Sequence, residues 1–176
     1  MTKPLRLGIA GLGTVGIGVV KIIRRQAALL EARTGRPVVI SAVSARDASK
    51  DRGISLSQYA WETDPVALAV RDDVDVFVEL MGGHEGAAKT ATEAALAAGK
   101  DVVTANKALL AIHGQALAEQ AEAKGQVIRF EAAVAGGIPV IKSLTEGLAG
   151  NEITRVMGVM NGTCNYILTQ MQATGQ

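Results

Sequence analysis

The glycine residues Gly11, Gly13 and Gly16 stand at the spacing G-x-G-x-x-G, which can present backbone N–H groups to a phosphate. In this pattern the first glycine permits a tight turn and the second lets a pyrophosphate approach the backbone. The third lets a helix pack closely on a strand. The spacing therefore predicts a dinucleotide site; the alternative is a glycine-rich turn without a ligand.

The elements around these glycines are those that such a site requires. An apolar run, Leu5 to Ala10, is long enough for one buried strand. After the glycines, apolar residues from Val15 to Leu30 recur at helical spacing. A helix that begins directly after the loop would offer its free N–H groups and positive dipole end to the phosphates.

The end of the second predicted strand, Val38 to Ala45, carries residues that could read the adenine ribose. An acidic residue at this place binds the 2′-hydroxyl of NAD, whereas an arginine accommodates the 2′-phosphate of NADP. Arg46, Asp47 and Lys50 follow the strand, so both types are present. The order of the residues favours NADP, with NAD possible; the alternative is a solvated Arg–Asp turn.

Two later strands are predicted to end at the same edge of the sheet. The run Asp75 to Leu80 stops at Met81-Gly82-Gly83, and we expect Gly82 to lie near the nicotinamide half of a cofactor. The strand Asp101 to Thr104 is followed by Ala105-Asn106-Lys107. Lys107 could donate a proton or a hydrogen bond to a carbonyl that receives a hydride. A solvated lysine at a helix start is the alternative.

Glu131 stands in an otherwise apolar segment, Val127 to Val134, which we predict to be a strand. A buried carboxylate needs a partner, such as a lysine, backbone N–H groups or a cation. Backbone carbonyls of the 134–138 turn could complete an oxygen cage for a hard cation. An edge carboxylate in a salt bridge is the competing interpretation.

The last part of the chain has a different character. Residues 151–160 read as a strand, and residues 163–171 have helical periodicity. Thr163 could cap this helix or help to hold a small polar substrate. Cys164 is expected to be a buried apolar residue, and neither histidine has partners at metal-ligand spacing.

Composition limits the fold class and the partners. Apolar residues make up 48% of the 176 residues but aromatic residues only 3%, which suits a helix-covered parallel sheet of aliphatic strands. The alternation of strands and helices predicts a doubly wound α/β sheet of six or more strands in the order 3-2-1-4-5-6. The net charge of +1 gives no case for nucleic acid or membrane surfaces, and one cysteine with no signal-peptide pattern suggests the cytoplasm.

With these motifs the chain resembles homoserine dehydrogenase over its whole length. The matching segments are G-L-G-T-V-G at 11–16, V-T-A-N-K-A-L-L-A at 103–111, F-E-A-A-V-A-G-G-I-P-V-I-K-S-L at 130–144 and N-G-T-C-N-Y-I-L at 161–168. This family reduces L-aspartate 4-semialdehyde to L-homoserine with NADPH or NADH, on the shared route to threonine and methionine.

The resemblance implies roles for individual residues and two domains. It makes Lys107 the active-site lysine beside the nicotinamide and Thr163 a substrate-lining residue. The positions that it implies for cofactor contact are Leu12, Thr14, Val15, Thr104 and Ala105. The positions that it implies for a monovalent cation such as sodium are Glu131, Val134, Gly136 and Ile138. It divides the chain into a dinucleotide-binding domain, 1–137, and the start of an α+β substrate and dimerisation domain, 138–176.

The family's substrate-binding motif, with a Glu, two or more Asp residues and a second catalytic Lys, is expected after position 176. We therefore expect residues 1–176 to bind nucleotide with little turnover, and a longer protein to form a homodimer. Two alternatives remain open: another semialdehyde or amino-acid dehydrogenase of the same build, and a nucleotide-binding module that senses the cofactor without turnover.

Overall fold

The chain forms a six-stranded parallel sheet with helices on both faces. The computed structural model describes residues 2–158 and 161–175. The strands are β1 (Leu5–Ala10), β2 (Val38–Ser44), β3 (Ala60–Glu62), β4 (Val76–Glu79), β5 (Asp101–Thr104) and β6 (Ile128–Arg129). They lie in the order β3-β2-β1-β4-β5-β6, and every neighbouring pair is parallel. The predicted fold class and strand order are confirmed.

Eight α-helical segments connect or follow the strands in the described ranges. They are α1 (Thr14–Arg25), α2 (Ala27–Thr34), α3 (Pro65–Ala69), α4 (Ala87–Ala97), α5 (Lys107–Glu122), α6 (Glu131–Ala135), α7 (Val140–Lys142) and α8 (Gly162–Thr174). A π-helical turn, Ser143–Gly147, extends α7. Among these segments, none is both long and apolar enough to cross a membrane.

Successive residues of the central strands enter two separate cores. Phe77 of β4 packs with Leu96 and Leu109 on the face that α3, α4 and α5 cover. Val78, the next residue, packs on the opposite face with Val20 of α1. This arrangement follows from the two-residue period of a strand, and it requires strands that are apolar on both sides. The sheet is thus a rigid frame whose carboxyl ends hold the loops of the site.

Two details near the N-terminus differ from the sequence predictions. The helical pattern after the glycine loop forms two helices, because the backbone leaves helical geometry at Gln26, and the second helix continues to Thr34. The third strand, Ala60–Glu62, is not predicted by the sequence pattern. It has only three half-buried residues, and its pairing with β2 depends on a neighbour that is distant in the chain.

The predicted strand Val127 to Val134 is wrong beyond Arg129. The structure ends β6 there and places Glu131 in the first turn of α6. Alanine residues favour helix in this segment, and an acidic side chain in a first turn is stabilised by the helix dipole.

The strand predicted over 151–160 is also wrong where it can be compared. Residues 152–158 have no regular secondary structure, and residues 159 and 160 lie outside the described ranges. A strand needs a neighbour for its backbone N–H and C=O groups, and the sheet in the described residues ends at β6. The helix predicted after it is present as α8, although none of its residues is buried.

Candidate dinucleotide site

The glycine loop connects β1 to α1 with backbone packing that excludes larger residues. Gly11 has φ +97°, and a Cβ atom there would overlap the carbonyl group of Leu80. A Cβ atom at Gly16 would overlap the carbonyl oxygen of Gly11. The first and third glycines are therefore explained by the turn and by the close packing of the helix, as the sequence pattern requires.

Gly13 needs a different explanation, because the protein itself leaves room for a side chain at that position. A Cβ atom there would meet no atom within 4 Å, and its φ of −79° is open to any residue. Gly13 is also the N-cap residue of α1, and no side-chain hydrogen bond in the described residues caps that helix end. An exposed backbone at an uncapped helix N-terminus fits the pyrophosphate of a dinucleotide.

A cleft of about 550 Å³ extends from the glycine loop along the carboxyl end of β2. The predicted residues Leu12 and Arg46 line it. Thr14 is exposed in the first turn of α1, beside the cleft. Lys50 and Arg52 add two further cationic side chains to the same wall. This wall is positively charged where the adenosine half of a dinucleotide is expected.

Asp47, the acidic residue of this wall, is engaged within its own turn. Its Oδ1 accepts hydrogen bonds from the backbone N–H of Ser49 at 2.8 Å and from the Ser49 hydroxyl at 2.6 Å. These hydrogen bonds hold the pKa of Asp47 below its usual value. The carboxylate has fewer free lone pairs for a ribose hydroxyl as a result.

Arg52 is a site residue that the sequence reasoning missed. It lies over the Trp61 ring, 5.4 Å from its centroid, and donates to the carbonyl oxygen of Leu12 at 3.3 Å. It also donates to the carbonyl of Asp47 at 2.5 Å, so it joins the glycine loop to the loop after β2. Arg52 and Trp61 are nine residues apart in the sequence, and no local sequence pattern predicts their contact.

A smaller cavity of about 180 Å³ lies between the turns that follow β4 and β5. The lining residues are Val15, Leu80, Met81, Gly82, Ala105 and Asn106. Three predicted cofactor-contact positions, Val15, Gly82 and Ala105, therefore meet in one place. Thr104, the residue before the cavity-lining Ala105, is buried, with its hydroxyl bonded to Glu79. Glu79 was also missed, although a carboxylate that ends an apolar strand was a visible signal.

Lys107 is the first residue of α5 and directly follows the cavity-lining Asn106. Asn106 caps the helix, because its Oδ1 accepts the backbone N–H of Leu109 at 3.1 Å. The lysine side chain is exposed. The strand end and the cap thus place Lys107 directly after a residue that lines the cavity.

Glu131 interacts with backbone N–H groups, one of the partners that the sequence left open. Its two carboxylate oxygens accept from Ile141 N at 2.9 Å and Lys142 N at 2.8 Å, which caps α7. Each oxygen keeps acceptor capacity for a further partner. Val134, within α6, and Ile138, in the turn after it, are more than half exposed, and Gly136 lies between them.

Thr163 does not cap α8, so the structural alternative for this residue is wrong. The cap is Asn161, whose Oδ1 accepts the backbone N–H of Cys164 at 2.8 Å. Thr163 is exposed in the first turn and does not line the cleft or the smaller cavity. Cys164 is exposed, contrary to the expectation of burial.

Comparison with known proteins agrees with this geometry. A family model described as the NAD binding domain of homoserine dehydrogenase matches residues 11–131. The chain belongs to the homoserine dehydrogenase family. A second model of the family, described as homoserine dehydrogenase, matches residues 139–176.

Individual members of the family are similar over nearly the whole chain. A homoserine dehydrogenase of Neisseria gonorrhoeae is 47% identical over 98% of this chain, and one of Mycobacterium tuberculosis is 48% identical over 98%. The crystal structure of a homoserine dehydrogenase from Thiobacillus denitrificans superposes with a TM-score of 0.89 at 41% identity, covering 99% of this chain and 40% of that chain. The chain spans 39% and 38% of the lengths of the Neisseria and Mycobacterium relatives.

Proposed function

We propose that this chain provides the cofactor-binding half of an enzyme that interconverts L-aspartate 4-semialdehyde and L-homoserine with a nicotinamide cofactor. The observation that carries the proposal is the position of Lys107 after the end of β5, directly following Asn106, which lines the cavity between the β4 and β5 turns. The family of the chain, with NAD binding in the description of its model, supports the same reaction. The enzyme would act on the shared route to threonine and methionine.

The proposed role of Lys107 is to stabilise charge on the substrate oxygen. When bound, the cofactor supplies the hydride that reduces the aldehyde carbon. An ammonium group beside the carbonyl oxygen can donate a hydrogen bond or a proton as negative charge develops there. A positioned donor of this kind contributes on the order of 10²–10⁴ in rate. The N-terminus of α5 adds a positive field at the same place.

The proposed cofactor preference is NADP over NAD, with NAD as a second ligand. Arg46, Lys50 and Arg52 line the cleft beside the β2 end, and a 2′-phosphate would meet this positive charge. Asp47, the residue that would favour NAD, is held by Ser49. The positive charge of the cleft and the engagement of Asp47 both favour NADP.

We also propose a monovalent cation, such as sodium, at Glu131 and the backbone carbonyls of Val134, Gly136 and Ile138. The carboxylate retains free lone pairs after its two bonds to α7, and a carbonyl oxygen has two. The cation would then join the end of the sheet domain to α7. This proposal fits the residues present and assigns the cation no chemical step.

The proposed domain boundary lies near residue 138, with a dinucleotide-binding domain over 1–137 and part of a substrate and dimerisation domain over 138–176. The helix α8 supports this division, because none of its residues is buried and Tyr166 and Leu168 are more than 60% exposed. We propose that Thr163 contacts substrate only once α8 is packed in a larger homodimeric protein. The 176-residue chain by itself should then bind nucleotide with little turnover.

The test of the proposed function is NADPH oxidation in the presence of L-aspartate 4-semialdehyde. The protein as the cell produces it should oxidise NADPH with this substrate, and the 176-residue chain should bind NADPH but oxidise it slowly. If the protein as the cell produces it binds nucleotide without turnover, this result would favour the sensing module instead. Faster turnover of a different semialdehyde would favour another dehydrogenase of the same build.

A further inference from the structure

Glu79, the last residue of β4, is a fully buried carboxylate directly before Leu80, Met81 and Gly82, which line the smaller cavity. Its Oε1 accepts the backbone N–H groups of Met81 at 2.8 Å and Gly82 at 3.2 Å. Its Oε2 accepts the hydroxyl of Thr104 at 2.6 Å. The side chain has no exposed surface, and three donors satisfy it.

The same network continues into the turn before α5. Thr104 Oγ1 accepts the backbone N–H of Asn106 at 3.0 Å, so its own hydrogen is directed at Glu79. The Asn106 side chain donates to the carbonyl oxygen of Gly83 at 2.5 Å while it caps α5. The two turns that enclose the smaller cavity are therefore joined by one closed set of hydrogen bonds.

Packing alone does not account for a carboxylate at this position. A buried carboxylate is costly unless it is fully hydrogen-bonded, and an apolar residue would fill the end of an aliphatic strand without that cost. The turn that Glu79 holds contains two consecutive glycines with positive φ, Gly82 at +81° and Gly83 at +83°. Such a turn has many accessible backbone conformations, and the carboxylate selects one of them.

We propose that Glu79 is a positioning residue for the nicotinamide half of the cofactor. It does so by fixing the 81–83 turn and the 105–107 turn, which carries Lys107, relative to each other. The inference rests on the proposed function, because it assumes a nicotinamide ring between these turns. It adds a residue that acts through backbone geometry without touching the cofactor.

The test compares two ligands that differ only in the nicotinamide ring: NADP⁺ and 2′-phospho-ADP-ribose. Glu79→Gln keeps the side-chain shape but replaces one acceptor oxygen by a donor. We expect its affinity for NADP⁺ to fall about tenfold, since buried donors lose their acceptor. Its affinity for 2′-phospho-ADP-ribose should change by less than about twofold, because that ligand contacts the glycine loop and the β2 end.

Thr104→Val removes the hydroxyl that donates to Glu79, and Thr92→Val is its matched control. Thr92 is also fully buried, but its hydroxyl donates to Ala88 O within α4 at 2.8 Å, and neither residue lines the smaller cavity. Thr104→Val should show the same selective loss of NADP⁺ affinity, and Thr92→Val should show none. The double variant of Glu79 and Thr104 should lose little more than either single variant, as expected for one connected network.

The outcomes separate the inference from the proposed function. If the unmodified chain binds neither ligand, the cofactor proposal fails. If it binds both, and if the Glu79 and Thr104 variants weaken both ligands equally or neither, then Glu79 is only structural and the inference is overturned. Thermal unfolding of each variant identifies those that fold. If Thr104→Val does not fold, Glu79→Gln alone decides between these outcomes.

Discussion

The glycine loop provides a sharp test, because Gly13 and Gly18 have similar space around them but different expected roles. A Cβ atom at either position would meet no protein atom within 4 Å. Gly13 lies at the start of α1, where a pyrophosphate would approach the backbone, and Gly18 lies inside the same helix. The pair Gly13→Ala and Gly18→Ala therefore separates ligand contact from folding.

The expected stability effects follow from local backbone terms. At Gly13, alanine is a poorer helix cap than glycine, but it also restricts the unfolded chain. These terms oppose each other, and the net change should be within about 1 kcal/mol. At Gly18, alanine in a helix interior should stabilise the fold by about 0.5–1 kcal/mol. At Gly16, the overlap with the Gly11 carbonyl should cost about 3 kcal/mol.

Cofactor binding should be weakened by Gly13→Ala, which has little effect on stability, and unaffected by Gly18→Ala. An added methyl group at Gly13 would occupy the approach of the pyrophosphate, so we expect at least about a tenfold loss of NADP⁺ affinity, or about 1.4 kcal/mol. Gly18→Ala should bind as the unmodified chain does. Calorimetric titration with NADP⁺ and urea unfolding measure both quantities. Unchanged affinity in Gly13→Ala, with the fold intact, would refute the assignment of the loop to the pyrophosphate.

Four further predictions concern single side chains. Arg46→Ala should weaken NADP⁺ by about tenfold while NAD⁺ is unchanged, in calorimetric titrations of both; equal effects on both would exclude a contact with the 2′-phosphate. Lys107→Ala, in the protein as the cell produces it, should lower kcat by about 10²-fold or more without loss of folding, and an unchanged kcat would remove Lys107 from the mechanism. Asp75→Asn should lower the urea midpoint at neutral pH, because hydrogen bonds from Arg6 lower the pKa of Asp75 from 3.8 to about 2. The carboxylate stabilises the fold at pH values above its unfolded pKa. The difference in urea midpoint between the variant and the unmodified chain should therefore close as pH falls from about 4 to about 2, and it should not persist below that range. Sodium chloride should raise the Tm relative to choline chloride, and Glu131→Gln should remove that difference, whereas an equal rise in both proteins would count against a cation at this carboxylate.

The sequence predicted the fold class and the glycine loop well because both depend on local patterns. An aliphatic run, three glycines at fixed offsets and a helical periodicity are all visible between Leu5 and Leu30. The end of β5 at Thr104 was predicted as well; the cap that Asn106 forms on the helix directly after it is seen only in the structure. The residues of the candidate site that were proposed from strand ends lie at one edge of the sheet.

The features that the sequence did not predict depend on partners far apart in the chain. Glu79 bonds to Thr104, 25 residues later, and Arg52 contacts Leu12, 40 residues earlier. Strand β3 forms because it pairs with the edge of β2. At Glu131 the sequence predicted a strand, whereas the structure has a helix, and the carboxylate accepts two N–H groups of α7 that lie 10 and 11 residues later.

The position of Lys107 shows how the site departs from what stability alone would select. The first turn of a helix favours acidic residues, and a cation there is unfavourable by about 0.3–1 kcal/mol. Helix α5 has no acidic residue in its first turn and begins with this lysine. Asn106 supplies a cap that keeps the helix start in place despite the charge. A locally unfavourable cation directly after the cavity-lining Asn106 is what the proposed role of Lys107 predicts, because that role requires positive charge at this place.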